Sequence, residues 1–263
     1  MAARSKGKTA LITGASSGIG KALAASFAAD GYDLVLAARG VARMEALGAE
    51  LTARHGVKVQ VIGADLEIAT GAKSLFDAVK ARGVTLDALV NNAGYGTFGE
   101  FKDSDLDAQL GMMHLNMDAL VSLTRLFLPE LIARKGGILN VASTAAFQPG
   151  PLMAVYYATK AFVLFFSEAI GEELAADGVT VTALCPGPTT SGFQEKAAAT
   201  DSALFKGRRM PTSEDVANYG FAAFQSGKRV AIHGFINWLM AESMRLTPRR
   251  VATALVMRIG RRV

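Results

Sequence analysis

Thr13-Gly14-Ala15-Ser16-Ser17-Gly18-Ile19-Gly20 is the stretch on which the fold turns. A short apolar run over residues 10–13 leads into it, and a helical pattern over residues 18–29 leads out. Glycine lets the chain turn sharply and brings backbone close to a ligand with no side chain between. The unpaired amides that open the following helix then face whatever lies above the loop, and the helix dipole favours an anion there. The spacing G-x-x-x-G-x-G differs from the general G-x-G-x-x-G dinucleotide motif. Position therefore carries the reading: a glycine-rich loop after a first strand and before a helix points to the pyrophosphate of a dinucleotide.

Outward from this loop the chain alternates strand and helix. Strands are predicted over residues 10–13, 33–38, 57–62, 86–90, 137–142, 179–185 and 230–232. Helical patterns fill 18–29, the run to about 54, 72–82, 104–134, 157–176 and the segment from near Ser213. The first two strands are almost wholly apolar, as expected where both faces are buried. The third alternates at Lys58 and Gln60, which suits a sheet edge. Repeated right-handed crossovers specify an α/β fold: one doubly wound parallel sheet of Rossmann type with helices on both faces, in a single domain over 1–263.

Two regions break the alternation. Residues 188–210 follow the end of a strand, where open sheets place ligands, and read as a substrate lid or as a plain surface excursion. Residues 235–263 form a helical extension with two short helices, 236–244 and 248–259, and with Arg245, Arg249, Arg250, Arg258, Arg261 and Arg262 among apolar residues. It reads as a packing appendix or subunit contact, or as a peripheral membrane contact on anionic lipid.

With 263 residues, half of them apolar and 19% charged, the chain can bury a large core and is not disordered. The formal charge of +5 suits a phosphate-rich cofactor; the basic residues are dispersed and no reader motif occurs, so no nucleic-acid partner is expected. Cys185 is the sole cysteine, which excludes a disulfide framework. With only His55, His114 and His233 beside it, no metal site is expected. No apolar run is long enough to span a bilayer, and residues 9–13 read as a strand rather than the core of a leader, so a reducing, cytoplasmic location is expected.

The second strand ends Leu36-Ala37-Ala38-Arg39, without the carboxylate that commonly accepts from the ribose hydroxyls of NAD. Arg39 can pair with the extra phosphate of NADP, with Ser17 and Lys21 assisting; otherwise it is an ordinary surface residue. Asp65, past the third strand, is placed to accept from the adenine amino group, with Leu66 packing nearby. Asn91-Asn92-Ala93-Gly94 follows the fourth strand, where small residues allow the cofactor to pass and asparagines can bridge strands, unless it is only a turn.

Ser143 lies just beyond the fifth strand, while Tyr156 and Lys160 stand one helical turn apart on one face. Hydride transfer to a carbonyl builds negative charge on oxygen, which needs a hydrogen-bond donor and then a proton. A phenol with an ordinary pKa near 10 needs tuning for this work. Lys160 supplies a cation that favours phenolate and can hold the nicotinamide ribose. Ser143 can bind the substrate oxygen or merely cap a local turn. Tyr157 reads as a packing residue.

Together, Thr13–Gly20, Asp65, Asn91–Gly94, Asn116, Ser143, Tyr156-x-x-x-Lys160 and Pro186-Gly187 resemble the short-chain dehydrogenase/reductase family, over roughly Lys8 to Ile232. The resemblance implies Tyr156 as general acid in reduction and base in oxidation, its pKa lowered by Lys160. It implies Ser143 orienting the carbonyl and Asn116 holding a relay water. It further implies contacts to the cofactor from Gly14, Ser16, Gly18, Ile19, Gly20, Asn92, Ala93, Gly94, Pro186 and Gly187. Ser191 or Thr189 takes the place of the carboxamide ligand. An arginine after the second strand implies NADP (NADPH).

Phe147, Met153, Phe193, Leu204, Phe205 and Met210 suggest an apolar pocket, unless they only pack the lid down. The expected substrate is therefore a small apolar ketone, aldehyde or secondary alcohol; the extended tail resembles the family's acyl and hydroxysteroid reductases, which implies an acyl or steroid-like one. Lys196, Lys206, Arg208 and Arg209 either meet a phosphorylated carrier or are solvated. Rival readings are a non-catalytic NADP-binding regulatory or scaffold protein and an isomerase or dehydratase on the same fold. A homodimer or homotetramer is expected from the resemblance. Leu120, Leu123, Phe127, Phe162, Phe165 and Phe166 suit helix packing, toward the sheet or toward a partner.

Overall fold

The computed structural model describes residues 5–190 and 210–260. Its strands are β1 (Thr9–Thr13), β2 (Asp33–Ala38), β3 (Val59–Gly63), β4 (Ala88–Asn91), β5 (Gly137–Val141), β6 (Thr180–Cys185) and β7 (Val230–Ile232). They form one sheet in the order β3-β2-β1-β4-β5-β6-β7, and every pairing is parallel. The order reverses between β1 and β4, so the crevice for a ligand opens above their carboxyl ends. As Lys58 and Gln60 suggest, β3 is an edge strand. It begins two residues later than the pattern predicts, because the Lys58 amide turns aside to the Asp33 side chain.

The helices are α1 (Gly18–Ala29), α2 (Val41–His55), α3 (Gly71–Ala81), α4 (Leu106–Met113), α5 (Ala119–Ala133), α6 (Ala154–Glu173), α7 (Ser213–Gln225), α8 (Phe235–Leu246) and α9 (Arg249–Gly260). Alternation along the strands divides the core in two. Leu34 and Leu36 of β2 face α1, α2 and α7, where Phe27, Met44 and Phe224 are buried. Val35 and Ala37 face the other way, toward Leu75 of α3 and Leu123 and Phe127 of α5. Leu120, Leu123 and Phe127 thus face the interior, whereas Phe162 and Phe165 of α6 point outward. The single long helix predicted over 104–134 is divided: α4 and α5 are separated by a π turn, His114–Asp118.

A polar seam inside the apolar core fixes how these layers meet. Asn91 Nδ2 donates to Asn140 Oδ1 at 2.9 Å and to Thr124 Oγ1 at 3.1 Å, and Asn140 Nδ2 donates to Ser167 Oγ at 2.9 Å. Buried amides are expensive unless paired, so this seam locks β4, β5, α5 and α6 in one register. Asn91 therefore bridges strands. No helix among the described residues is long and apolar enough to cross a membrane.

Candidate active site

A cleft of about 750 Å³ runs along the carboxyl ends of the strands. One end is lined by Gly14, Ser16, Ser17, Gly18, Ile19 and Gly20. Ser17 precedes α1 in extended conformation with no side-chain cap, and the first turn holds no acid. The opening amides of α1 are thus left for an anion. Gly18 sits at φ 56°, and a Cβ on Gly14 would stand 2.7 Å from Asn92 Nδ2. Asn92 reaches into that space to donate to the Thr13 carbonyl at 2.8 Å, tying the β4 loop against the glycine loop. Thr13 Oγ1 accepts from the amides of Asn92 and Ala93, each at 3.0 Å.

Farther along, Arg39, Gly40, Arg43, Asp65, Leu66 and Glu67 line the cleft. Arg43 stands beside Gly40 and Ser16, whereas Lys21 is not among the lining residues. Arg43 escaped the sequence reading because one residue type on a helix start gives no sign of direction. Arg39 Nη1 lies 3.2 Å from Glu67 Oε2, and Asp65 Oδ1 accepts from the Glu67 amide.

At the centre, Ser143, Tyr156 and Lys160 converge from the end of β5 and the first turns of α6. Helix α6 begins at Ala154, three residues earlier than predicted, which places Tyr156 inside its first turn. Ser143 Oγ accepts from the Ala145 amide at 3.1 Å, so it caps the local turn. It also hydrogen-bonds Tyr156. Burial pushes the Tyr156 phenol above its ordinary range, and the Ser143 bond acts in the lowering direction. Lys160 Nζ donates to the Val141 carbonyl at 2.8 Å, and burial draws it down to about 8. The implied lowering of Tyr156 by Lys160 is not the balance found here. Nζ lies 5.8 Å from the Tyr156 ring centre, and removal from water pushes both groups toward neutrality.

Asn116 in the π turn donates to the Tyr95 carbonyl and Thr159 Oγ1, each at 3.0 Å, and accepts from the Tyr95 amide. Both amide protons are committed, so a relay water would have to donate to its oxygen. A Cβ on Gly94 would stand 2.8 Å from that oxygen and 3.6 Å from Lys160 Nζ, which explains a glycine there.

Pro186, Gly187, Pro188 and Thr189 pass along one wall, and Thr189 Oγ1 donates to the Gly187 carbonyl. Ser191, and with it Phe193, Lys196, Leu204, Phe205, Lys206, Arg208, Arg209 and all but the ends of the lid region, lie outside the described residues. The remaining wall was not anticipated. Asn237, Met240 and Ala241 of α8 and Val256 of α9 line the cleft. Val256 packs in one cluster with Met112, Ala145, Met153, Tyr156 and Tyr157. The extension therefore closes the substrate end while leaving Phe235, Ile236, Leu246 and Val251 exposed.

The donor set fits a dinucleotide: free helix amides for pyrophosphate, arginines at the far end and a buried lysine beside the phenol. Among the described residues no cluster of metal-ligating side chains occurs.

The family model described as short chain dehydrogenase matches residues 8–202. A very-long-chain 3-oxoacyl-CoA reductase of Anas platyrhynchos is 36% identical over 187 residues, 68% of this chain and 59% of that protein. The chain spans between about a third and three-fifths of the length of the curated relatives it matches. A short-chain dehydrogenase from Sphingobium yanoikuyae in complex with NADPH superposes with a TM-score of 0.79 at 32% identity, covering 91% of this chain and 94% of that one. A bulky-bulky ketone specific alcohol dehydrogenase from Comamonas testosteroni gives 0.77 at 30% identity, covering 91% and 92%.

Proposed function

This chain belongs to the short-chain dehydrogenase/reductase family of oxidoreductases, and from that premise we propose that it is an NADPH-dependent reductase of apolar, bulky ketones, 3-oxoacyl thioesters among them. The observation that carries this reading is the convergence of Ser143, Tyr156 and Lys160 between a phosphate-binding helix start and an apolar wall. Bound NADPH supplies the hydride. The opening amides of α1 would hold its pyrophosphate, Arg39 and Arg43 would meet the 2′-phosphate, and Lys160 would hold the nicotinamide ribose. Ser143 and Tyr156 donate to the substrate oxygen, and Tyr156 Oη delivers its proton as charge develops there. Met153, Tyr157, Met240 and Val256 exclude water and select bulk without charge. The NADPH complex and the bulky-ketone enzyme among the similar structures, and the acyl-CoA reductase among the relatives, support this choice.

The test is NADPH oxidation against apolar ketones and 3-oxoacyl thioesters, with NADH in parallel. Tyr156→Phe should lower kcat/KM by roughly 10²–10⁴-fold with NADPH affinity kept. Unchanged turnover in that variant would remove Tyr156 from the mechanism. We propose in addition that the protein self-associates through the outward face of α6, where Phe165 is 66% exposed.

A further inference from the structure

Arg39, the residue on which the choice of NADP rests, already has a partner. Its guanidinium lies 3.2 Å from Glu67 Oε2. An exposed pair of this kind ordinarily contributes little, because two long side chains must be held in one geometry. Glu67 is held already. Its other oxygen, Oε1, lies 3.0 Å from the Tyr95 hydroxyl, whose one proton is shared with the Ala108 carbonyl, also at 3.0 Å. Its carboxylate also lies against Gly111 of α4, where a Cβ would collide with Oε1. Burial and the neighbouring carboxylate push the Tyr95 phenol up to about 12, so it remains a donor. Tyr95 is in turn fixed by Asn116 through both its amide and its carbonyl. The carboxylate is thus only 29% exposed and preorganised, whereas the arginine it holds is 68% exposed and can swing.

A 2′-phosphate must take Arg39 from this carboxylate, and must do so beside a fixed negative charge. NADH carries no such phosphate and meets neither obstacle. We propose that Glu67 is a specificity-determining residue that restrains the preference for NADPH by holding Arg39. The protein on this account binds NADPH less tightly than its arginines allow, and discriminates less sharply against NADH. The inference rests on the reading of Arg39 as the phosphate ligand.

The experiment measures the dissociation constants of NADPH and NADH by quenching of protein fluorescence, with no substrate present, at low and high salt. Glu67→Gln keeps the shape and the acceptor for Tyr95 but removes the charge. It should tighten NADPH by roughly tenfold at low ionic strength, shrinking in salt, and move NADH by less than about twofold. Glu67→Ala removes the same charge with no amide in its place and must shift NADPH in the same direction; thermal melting establishes that both variants are folded. In an Arg39→Ala background the gain from Glu67→Gln should largely vanish. NADPH unchanged or weakened in both Glu67 variants, NADH tightened equally, or a full gain persisting without Arg39 would each overturn the proposal. Arg39→Ala leaving NADPH affinity intact is a different outcome: it would overturn the assignment of Arg39 itself, and the proposal with it.

Discussion

Lys160 is only 6% exposed at the floor of the cleft, and that placement has a measurable consequence for folding. Burial lowers its pKa from an ordinary 10.5 to about 8. The unfolded chain therefore binds this proton more tightly than the folded one. Below pH 8 both states are protonated, and the contribution sits flat at its least favourable. Between pH 8 and 10.5 only the unfolded chain keeps the proton, so stability rises with pH. Integrated from pH 7 to pH 9, the rise is about 1 kcal/mol. Cys185 works in the opposite sense, since burial pushes its thiol up to about 12 and the unfolded thiol ionises first. The raw slope of the wild type consequently mixes the two.

A difference isolates the lysine. In Lys160→Met the Val141 carbonyl loses its donor at every pH, and that loss cancels between the two conditions. Urea denaturation of cofactor-free wild type and variant, at one protein concentration, should show the wild type gaining about 1 kcal/mol relative to the variant from pH 7 to pH 9. A gap that stays constant or moves the other way would mean that the folded protein does not disfavour the ammonium, and the burial argument would fail.

The polar seam gives a stability prediction: Asn140→Ala takes one of two acceptors from Asn91 Nδ2 and the donor from Ser167 Oγ, and leaves a gap in the core, costing about 2–3 kcal/mol, and should lower Tm by about 5–10 °C; a loss under 2 °C would refute the seam's role. Val256→Phe intrudes on Met153 and Tyr157, so it should raise KM for a bulky ketone about tenfold more than for a small one, with NADPH affinity constant. Equal effects on both substrates would exclude α9 from the substrate wall. Phe165→Glu should reduce the assembly size measured by light scattering, and an unchanged mass would rule out that face of α6.

What was legible in the sequence was legible for local reasons. The glycine loop, the apolar strands and the Tyr156–Lys160 spacing each express a requirement met within a few residues. The edge position of β3 was visible too, because Lys58 and Gln60 mark a wetted face. Contacts across the fold left no such mark. Arg43 looks like any first-turn arginine until α2 is laid beside Ser16. Glu67 and Gly111 have meaning only together, 44 positions apart in the chain. Asn140 interrupts an otherwise apolar strand, and its partners Asn91 and Ser167 come from distant parts of the chain. The extension reads as a packing appendix, a subunit contact or a membrane contact because nothing in its sequence marks Asn237, Ala241 and Val256 as turning toward the cleft. The π turn has no sequence signature at all, although it aims Asn116 at Tyr95.

The position of the Tyr156 proton also decides how rate should follow pH. Ketone reduction takes up one proton with the hydride, so the equilibrium between ketone and alcohol shifts tenfold per pH unit. The two values of kcat/KM must divide that factor between them. Were the free enzyme's phenol ionised at neutral pH, the reductive direction would fall tenfold per unit while the oxidative one stayed level. Burial instead holds the phenol above its ordinary range, and the Ser143 bond does not reverse that. Between pH 6 and 7, where Lys160 also retains its charge, the acid needed for reduction is fully present and the base needed for oxidation is scarce. Reductive kcat/KM should then vary less than about twofold over this range, while the oxidative value climbs about tenfold per unit. Steady-state assays of one ketone–alcohol pair in both directions distinguish the cases. A level oxidative profile with a falling reductive one would show that the phenol is ionised in the free enzyme, and that a charge near it outweighs its burial.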